Sequence, residues 1–250
     1  MLEGPWYPPV MASPPTISDL AERFALSGPQ AASLEVYVGL LAGWKRANVT
    51  GMHSHEQIVE TLLGDALAML DVPGVRERAG GGWLDLGAGA GIPGIPLAVA
   101  LPAVALTLLE AVSRKCEFLE AAVDAAGIAT RARVVCARSE RYAAHPPGRE
   151  AAMVVLARAV APLPVLVELA APLLAHGGVL LACKTATAVD EEGAAGETAA
   201  GLCGLAAGLV VRLERSPLDQ AVCVVYEKVG PTPERFPRRE GIAAKRPLAT

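Results

Sequence analysis

The sequence predicts an α/β fold. A central, mostly parallel sheet carries helices on its faces, a helical extension precedes it, and an antiparallel strand closes its C-terminal side. Three observations carry this prediction. From residue 83 onwards, short apolar runs alternate with helix-length segments, the pattern of strands joined by helical crossovers. Before that point, apolar residues recur only at three- and four-residue spacing. Between the two regimes lies Gly87-Ala-Gly-Ala-Gly-Ile-Pro-Gly94, where the chain must turn sharply from a strand into a helix and glycine supplies the backbone freedom to do so.

Residues 1–16 carry Pro5, Pro8, Pro9, Pro14 and Pro15 and read as a flexible arm, because proline denies both helix and ladder hydrogen bonds. Residues 17–78 read as the helical extension. Leu34, Tyr37, Val38, Leu41 and Trp44 form one apolar stripe. Asn48-Val49-Thr50-Gly51 interrupts it, and Ile58, Leu62, Leu63, Leu67 and Leu70 form a second stripe over about 54–70. Residues 79–230 read as a single ligand-binding domain. Its strands are expected at 83–86, 106–110, 133–136, 153–156 and 178–183, with helices near 93–101, 113–126, 163–175 and 189–207 and a hairpin at 210–213 and 220–226. Residues 231–250 are a basic tail, with five basic residues against Glu234 and Glu240, kept extended by Pro233, Pro237 and Pro247.

Composition narrows the function classes. With 52% hydrophobic and 19% charged residues among 250, the chain is not disordered. Its 5 cysteines contain no CxxC pair, so no disulfide framework or zinc grid is expected, and reduced thiols suit a cytoplasmic protein. The net charge of −4 excludes a uniformly basic coat and leaves room for a local basic patch. Leu86 to Leu109 has no charged residue, but its glycines and prolines fit strand, turn and helix better than a membrane span. No basic region precedes an apolar stretch at the N-terminus, so no signal peptide is expected. The 4 histidines show no metal-ligand grouping; His53-x-His55 reads as loop surface, and no metal is expected.

Two ligand classes compete for the glycine loop. Gly89-x-Gly91-x-x-Gly94 matches the dinucleotide fingerprint G-x-G-x-x-G. Asp85-x-Gly87-x-Gly89-x-Gly91 resembles instead the first motif of class I S-adenosylmethionine (SAM) methyltransferases. Glu110 ends the second strand, where either class places an acid for ribose hydroxyls. Asp85 favours SAM: it would repel a pyrophosphate and could pair with the ammonium of a methionine moiety. In either case the ligand is expected to dock on open backbone amides at the carboxyl end of the first strand.

Over roughly residues 30–250 the chain resembles the ribosomal small-subunit RNA methyltransferase G family, also called glucose-inhibited division protein B. The resemblance rests on Trp44 with Asn48-Val49-Thr50, the proline-paired loop from Asp85 to Leu97, and Glu110 with Ser113 to Leu119. Arg138-Ser139-Glu140, Ala157 to Leu163, Lys184 and the tail from Pro233 to Leu248 extend it. Three positions depart: only Asp65 remains of a K-H-x-x-D-S motif at 61–66, Met153 replaces an acid, and Thr185 replaces a glycine.

The resemblance implies a class I, Rossmann-like SAM-dependent methyltransferase that methylates N7 of one guanine in 16S rRNA. It implies that Asp85, Gly87, Gly89, Gly91, Ile92, Glu110, Ser139, Glu140 and Arg158 hold the cofactor, with Arg158 also at the reaction centre as the catalytic candidate. The candidates for RNA contact are Arg114, Lys115, Arg138, Lys184, Arg238, Arg239, Lys245 and Arg246. The implied partner is 16S rRNA or the small ribosomal subunit, and the enzyme is expected to be a monomer that does not engage a membrane. Guanine N7 already exposes a lone pair, so alignment of donor and acceptor suffices. That suits a sequence without paired catalytic carboxylates. A small-molecule methyltransferase, a non-catalytic RNA-binding relative and a nicotinamide-dependent oxidoreductase are the rival readings.

Overall fold

A computed structural model describes residues 14–250. Most of the arm expected at 1–16 lies outside the described residues.

The extension opens with α1 (Ile17–Phe24) and α2 (Gly28–Gly43), each started by a capping box, Thr16 with Asp19 and Ser27 with Gln30. Such reciprocal side-chain caps satisfy amide groups that the first helical turn leaves without partners. The second stripe forms one continuous helical run: α3 (His55–Gln57), a π-helical stretch (Ile58–Leu63), α4 (Gly64–Ala68) and a 3₁₀ turn (Met69–Asp71). The sequence predicted a plain helix there; the π-helical turn is invisible to apolar spacing.

Five strands and their crossovers follow: β1 (Gly82–Leu86), α5 (Gly94–Ala100), β2 (Ala105–Glu110), α6 (Ser113–Ala125), β3 (Ala132–Cys136), α7 (Ser139–Ala143), β4 (Ala152–Arg158), α8 (Leu163–Ala170) and β5 (Leu174–Thr185). Then come α9 (Ala186–Cys203), β6 (Leu209–Arg212), β7 (Ala221–Glu227) and α10 (Ile242–Lys245). The strand order is β3-β2-β1-β4-β5-β7-β6. The first five strands are parallel, and β7 runs antiparallel between β5 and β6. The order reverses between β1 and β4, and ligands of open α/β sheets bind outside the carboxyl ends of strands at such a point.

The sheet separates two apolar cores. One joins Phe24, Leu34, Tyr37 and Leu63 of the extension to Trp83, Ile95 and Phe118. The other holds Leu163, Leu166 and Leu180 with Ala200 and Phe236. Helices of the extension therefore cover one face of the sheet directly. Gln30 Nε2 fixes their position further by donating to Val99 O and Ala100 O at the end of α5, 2.8 and 3.0 Å. Arg215, in the β6–β7 loop, pairs with Asp71 and lies over the Phe24 ring, tying that loop to the extension.

The tail departs from expectation. Its prolines do not keep it extended: it carries α10 and folds back on the domain, where Phe236 and Ala243 are buried.

Candidate ligand and methyl-transfer site

Asp85 is the penultimate residue of β1 and is only 1% exposed. Its Oδ2 accepts the Gly94 N–H at 2.9 Å, at the start of α5. A Cβ at Gly94 would stand 2.6 Å from that same oxygen, so only glycine fits there. Burial pushes the Asp85 carboxyl from 3.8 up to about 7, against the opposing pull of the Gly94 N–H; Glu110 adds to the rise and Arg158 counters it.

Most of the rest of the loop is also bonded internally. The N–H groups of Gly87 and Ala88 donate to Leu109 O, and that of Gly91 donates to Ala88 O. Gly89 N–H donates to Glu110 Oε2 at 2.9 Å. These four donors are spoken for, so the expectation of open amides holds only for Ala90 and Ile92, whose N–H groups have no partner among the described residues. The loop offers shape, with positive φ at Gly87, Gly89 and Gly91. Asp85 is corrected too: its carboxylate closes the N-terminus of α5 from beneath and lines neither cavity beside the loop. A pyrophosphate needs free amides at that helix end, so the dinucleotide alternative loses its anchor.

Two cavities meet at Gly87. The first, about 260 Å³, is lined by Gly87, Glu110, Ala137, Arg138, Ser139 and Glu140, together with Val160, Ala161 and Leu169. Its far wall is Gly241, Ala243 and Ala244 of the tail. The second, about 240 Å³, is lined by Gly87, Gly89, Ile92, Lys115, Arg158 and Ala159, with Val49, Thr50 and Leu62 from the extension. A Cβ on Gly87 would lie 3.1 Å from Val160 Cγ2, narrowing the junction between them. Together they reach the roughly 300–1,000 Å³ of small-ligand sites.

Glu110 is buried at the end of β2. Its Oε1 accepts the N–H groups of Ala111 and Val112, and Oε2 accepts that of Gly89. A carboxylate has about four lone-pair sites, so one remains on Oε2 for a hydroxyl donor. Ser139 Oγ donates to Leu169 O at 3.0 Å, and Glu140 Oε1 accepts Gly241 N–H at 2.8 Å. Gly91 lines neither cavity; it packs beneath the loop, where a Cβ would meet Ile95 Cδ1 at 2.5 Å.

Arg158 ends β4 and lines the second cavity. Its Nε lies 3.0 Å from Oδ2 of the buried Asp65, whose Oδ1 accepts Ser216 Oγ at 2.7 Å. A third cavity, about 260 Å³, continues past Arg158 between Asp65, Lys184, Leu213 and Leu218. Ala159, directly after Arg158, has φ 54, a left-handed conformation uncommon for a residue with a Cβ. Asp65 is the partner that sequence reasoning left without a role, and Ser216 lay outside every motif. The contacts between Asp65 and Ser216 span 151 residues, so no local spacing could signal them.

The basic candidates divide. Lys115 lines the second cavity and Arg138 the first, while Arg114, Arg239, Lys245 and Arg246 are exposed. Two do not stand free as RNA contacts would. Lys184 Nζ is occupied by Glu192 Oε2 and Ala161 O, at 2.7 and 2.9 Å. Arg238 is half-buried and pairs through both Nε and Nη2 with Glu168. The departures at 153 and 185 also find local roles: Met153 fills the space over Gly81, and Thr185 caps α9 by accepting Ala188 N–H.

No helix among the described residues is long and apolar enough to cross a membrane. A family model described as rRNA small subunit methyltransferase G matches residues 30–215. A protein of that name from Rubrobacter xylanophilus is 39% identical over 227 residues, covering 89% of this chain and 85% of its own. One from Deinococcus radiodurans is 38% identical, covering 84% and 81%, and one from Desulfitobacterium hafniense is 34% identical, covering 89% and 91%. Among solved structures, the S-adenosylmethionine-dependent methyltransferase SibL shares the fold with a TM-score of 0.56 at 17% identity, covering 86% of this chain and 73% of that one.

Proposed function

Because the chain belongs to the rRNA small subunit methyltransferase G family, we propose that it transfers a methyl group from SAM to N7 of a guanine in 16S rRNA. The observation that carries the reading is the pair of cavities joined at Gly87, one ending on a buried acid and the other on a basic rim. The largely self-bonded loop and the bonded amides at the start of α5 add to it, because SAM, unlike a dinucleotide, brings no phosphate that needs free amides.

In this reading the first cavity takes the adenosine. Glu110 accepts a ribose hydroxyl on its remaining lone pair, Leu169 and Val160 face the base, and the Ser139–Glu140 turn borders it. The methionine end crosses the bare face of Gly87 into the second cavity, beside Ile92. When bound, SAM supplies an electrophilic methyl group on a sulfonium. Arg158 orients the guanine at the mouth of that cavity, held in place by Asp65. Val49, Thr50 and Leu62 exclude water from the same space. No side chain needs to remove a proton, since N7 attacks with its own lone pair; catalysis is positioning.

Lys115 and Arg138 on the cavity rim, the exposed Arg114, and Arg239, Lys245 and Arg246 on the tail neutralise rRNA phosphates and fix register. The partner is the 16S rRNA, alone or in the small subunit, the enzyme acts as a monomer, and its place is the cytoplasm.

The test is transfer of labelled methyl from SAM to 16S rRNA and to assembled small subunits, with nucleoside analysis. One site of 7-methylguanosine is expected. SAM binding without transfer to either particle would refute rRNA as the substrate and favour a small-molecule acceptor.

A further inference from the structure

We propose that the C-terminal tail is a structural wall of the adenosine cavity, and that Arg238 holds it there as a cofactor-positioning residue. This rests on the reading of that cavity as the SAM site. Gly241, Ala243 and Ala244 close the cavity opposite the glycine loop. They belong to a short segment with little to stabilise it alone, since α10 is only 4 residues long. Besides the burial of Ala243, what fixes the segment is polar and comes from distant parts of the chain.

Arg238 lies just before the segment. Its Nε donates to Glu168 Oε1 at 2.6 Å, and its Nη2 meets Glu168 Oε2. Glu168 projects from α8 and is 1% exposed, so its charge has no alternative in water. The same Nη2 donates to Arg246 O at 2.7 Å, just beyond α10. One guanidinium therefore ties both ends of the wall segment to α8. Two lighter contacts hold its middle: Gly241 N–H on Glu140 Oε1 and Glu240 with Arg141. Glu140 itself borders the cavity, so the wall and the opposite rim are joined through it.

The tail thus has two faces with separate tasks. Arg238 points inward and acts on the cofactor through the wall. Arg239 and Lys245 are exposed and do not touch it. Freeing the wall opens the adenosine side to water and weakens SAM, while leaving the RNA-facing charges in place.

The test compares Arg238→Ala, the double variant Glu168→Gln/Arg238→Ala, which leaves no bare buried carboxylate, Arg238→Lys and Arg239→Ala. Circular dichroism establishes that each is folded. SAM binding is measured by calorimetry, and KM is measured separately for SAM and for RNA. Arg238→Ala and the double variant are expected to weaken SAM about tenfold or more, with the RNA KM unchanged and partial recovery in Arg238→Lys. Arg239→Ala is expected to leave SAM affinity unchanged. Wild-type SAM affinity in the folded double variant, or a rise in RNA KM matching the SAM effect, would overturn the role given to Arg238. Absence of SAM binding by the wild-type chain would instead refute the reading of the cavity itself.

Discussion

The acid at the end of β1 carries the most specific consequences for a single residue. The folded value of Asp85, about 7, lies above the 3.8 of an ordinary aspartate. Between those values the native state holds a proton that the unfolded chain releases. Its contribution to stability is therefore complete in acid and lost as pH rises through about 7. Asp85→Asn keeps an acceptor for Gly94 N–H and removes the charge. Thermal melts of this variant are expected to show a flatter pH dependence between pH 5 and 8 than the wild type; identical profiles would refute the assignment. Arg158 calls for a different design. Truncating it to alanine strands the buried Asp65 carboxylate, at about 3–5 kcal/mol. Asp65→Asn/Arg158→Gln avoids the stranded charge. It is expected to fold and to lose at least about tenfold in kcat. Full activity in that variant would remove Arg158 from the reaction centre. Glu110 and Arg158 were legible in the sequence because each ends an apolar run on a predicted strand. The partners of Arg158 were not, because they arrive from the extension and from the β6–β7 loop.

At the scale of elements, the extension does more than cover a sheet face. Tyr37 on α2 is fully buried and its Oη donates to Ala90 O in the glycine loop, 2.6 Å. A helix of the extension thus grips the element that shapes the ligand site. Tyr37→Phe is expected to lower stability by about 1 kcal/mol, the usual net worth of one hydrogen bond, and to weaken SAM by loosening the loop. Denaturant melts and calorimetry check both; unchanged SAM affinity would mean that the grip is only structural. Elements with strong periodicity were legible: the two apolar stripes, the five parallel strands and the closing hairpin are all present near their expected positions, although β5 begins at Leu174, inside the stretch expected as helix to 175. Short elements were not. α7 has 5 residues, too few for a helical period to show, and α1 was anticipated only as part of a helical region.

For the whole molecule, the relevant property is where charge sits on a chain of net −4. Lys115 and Arg138 rim the cavities, and the exposed tail residues extend that basic surface. Each phosphate contact removed should reduce the salt dependence of RNA binding by about one unit of slope. Arg114→Ala/Arg239→Ala is expected to lower the slope of log K against log salt by about 2, with SAM affinity unchanged because neither residue lines the cavities; an unaltered slope would move the RNA elsewhere. The tail shows why such a surface is only half readable from sequence. A run of basic residues looks uniform, yet Arg238 turns inward because Glu168, 70 positions away, is buried and has no other side-chain partner among the described residues.

The internally bonded glycine loop bears on how the enzyme would fare among competitors. Living cells are crowded with molecules that share an adenosine: energy carriers, redox carriers and their breakdown products. Nearly all of them bear phosphates. A loop most of whose amides are already taken, leading into a helix end whose N–H groups are bonded to Asp85, Gly91 and Pro93, gives those phosphates little to hold. Selectivity against the abundant nucleotide pool then comes from what the loop withholds, and the adenosine cavity stays available to a ligand whose charge is a sulfonium.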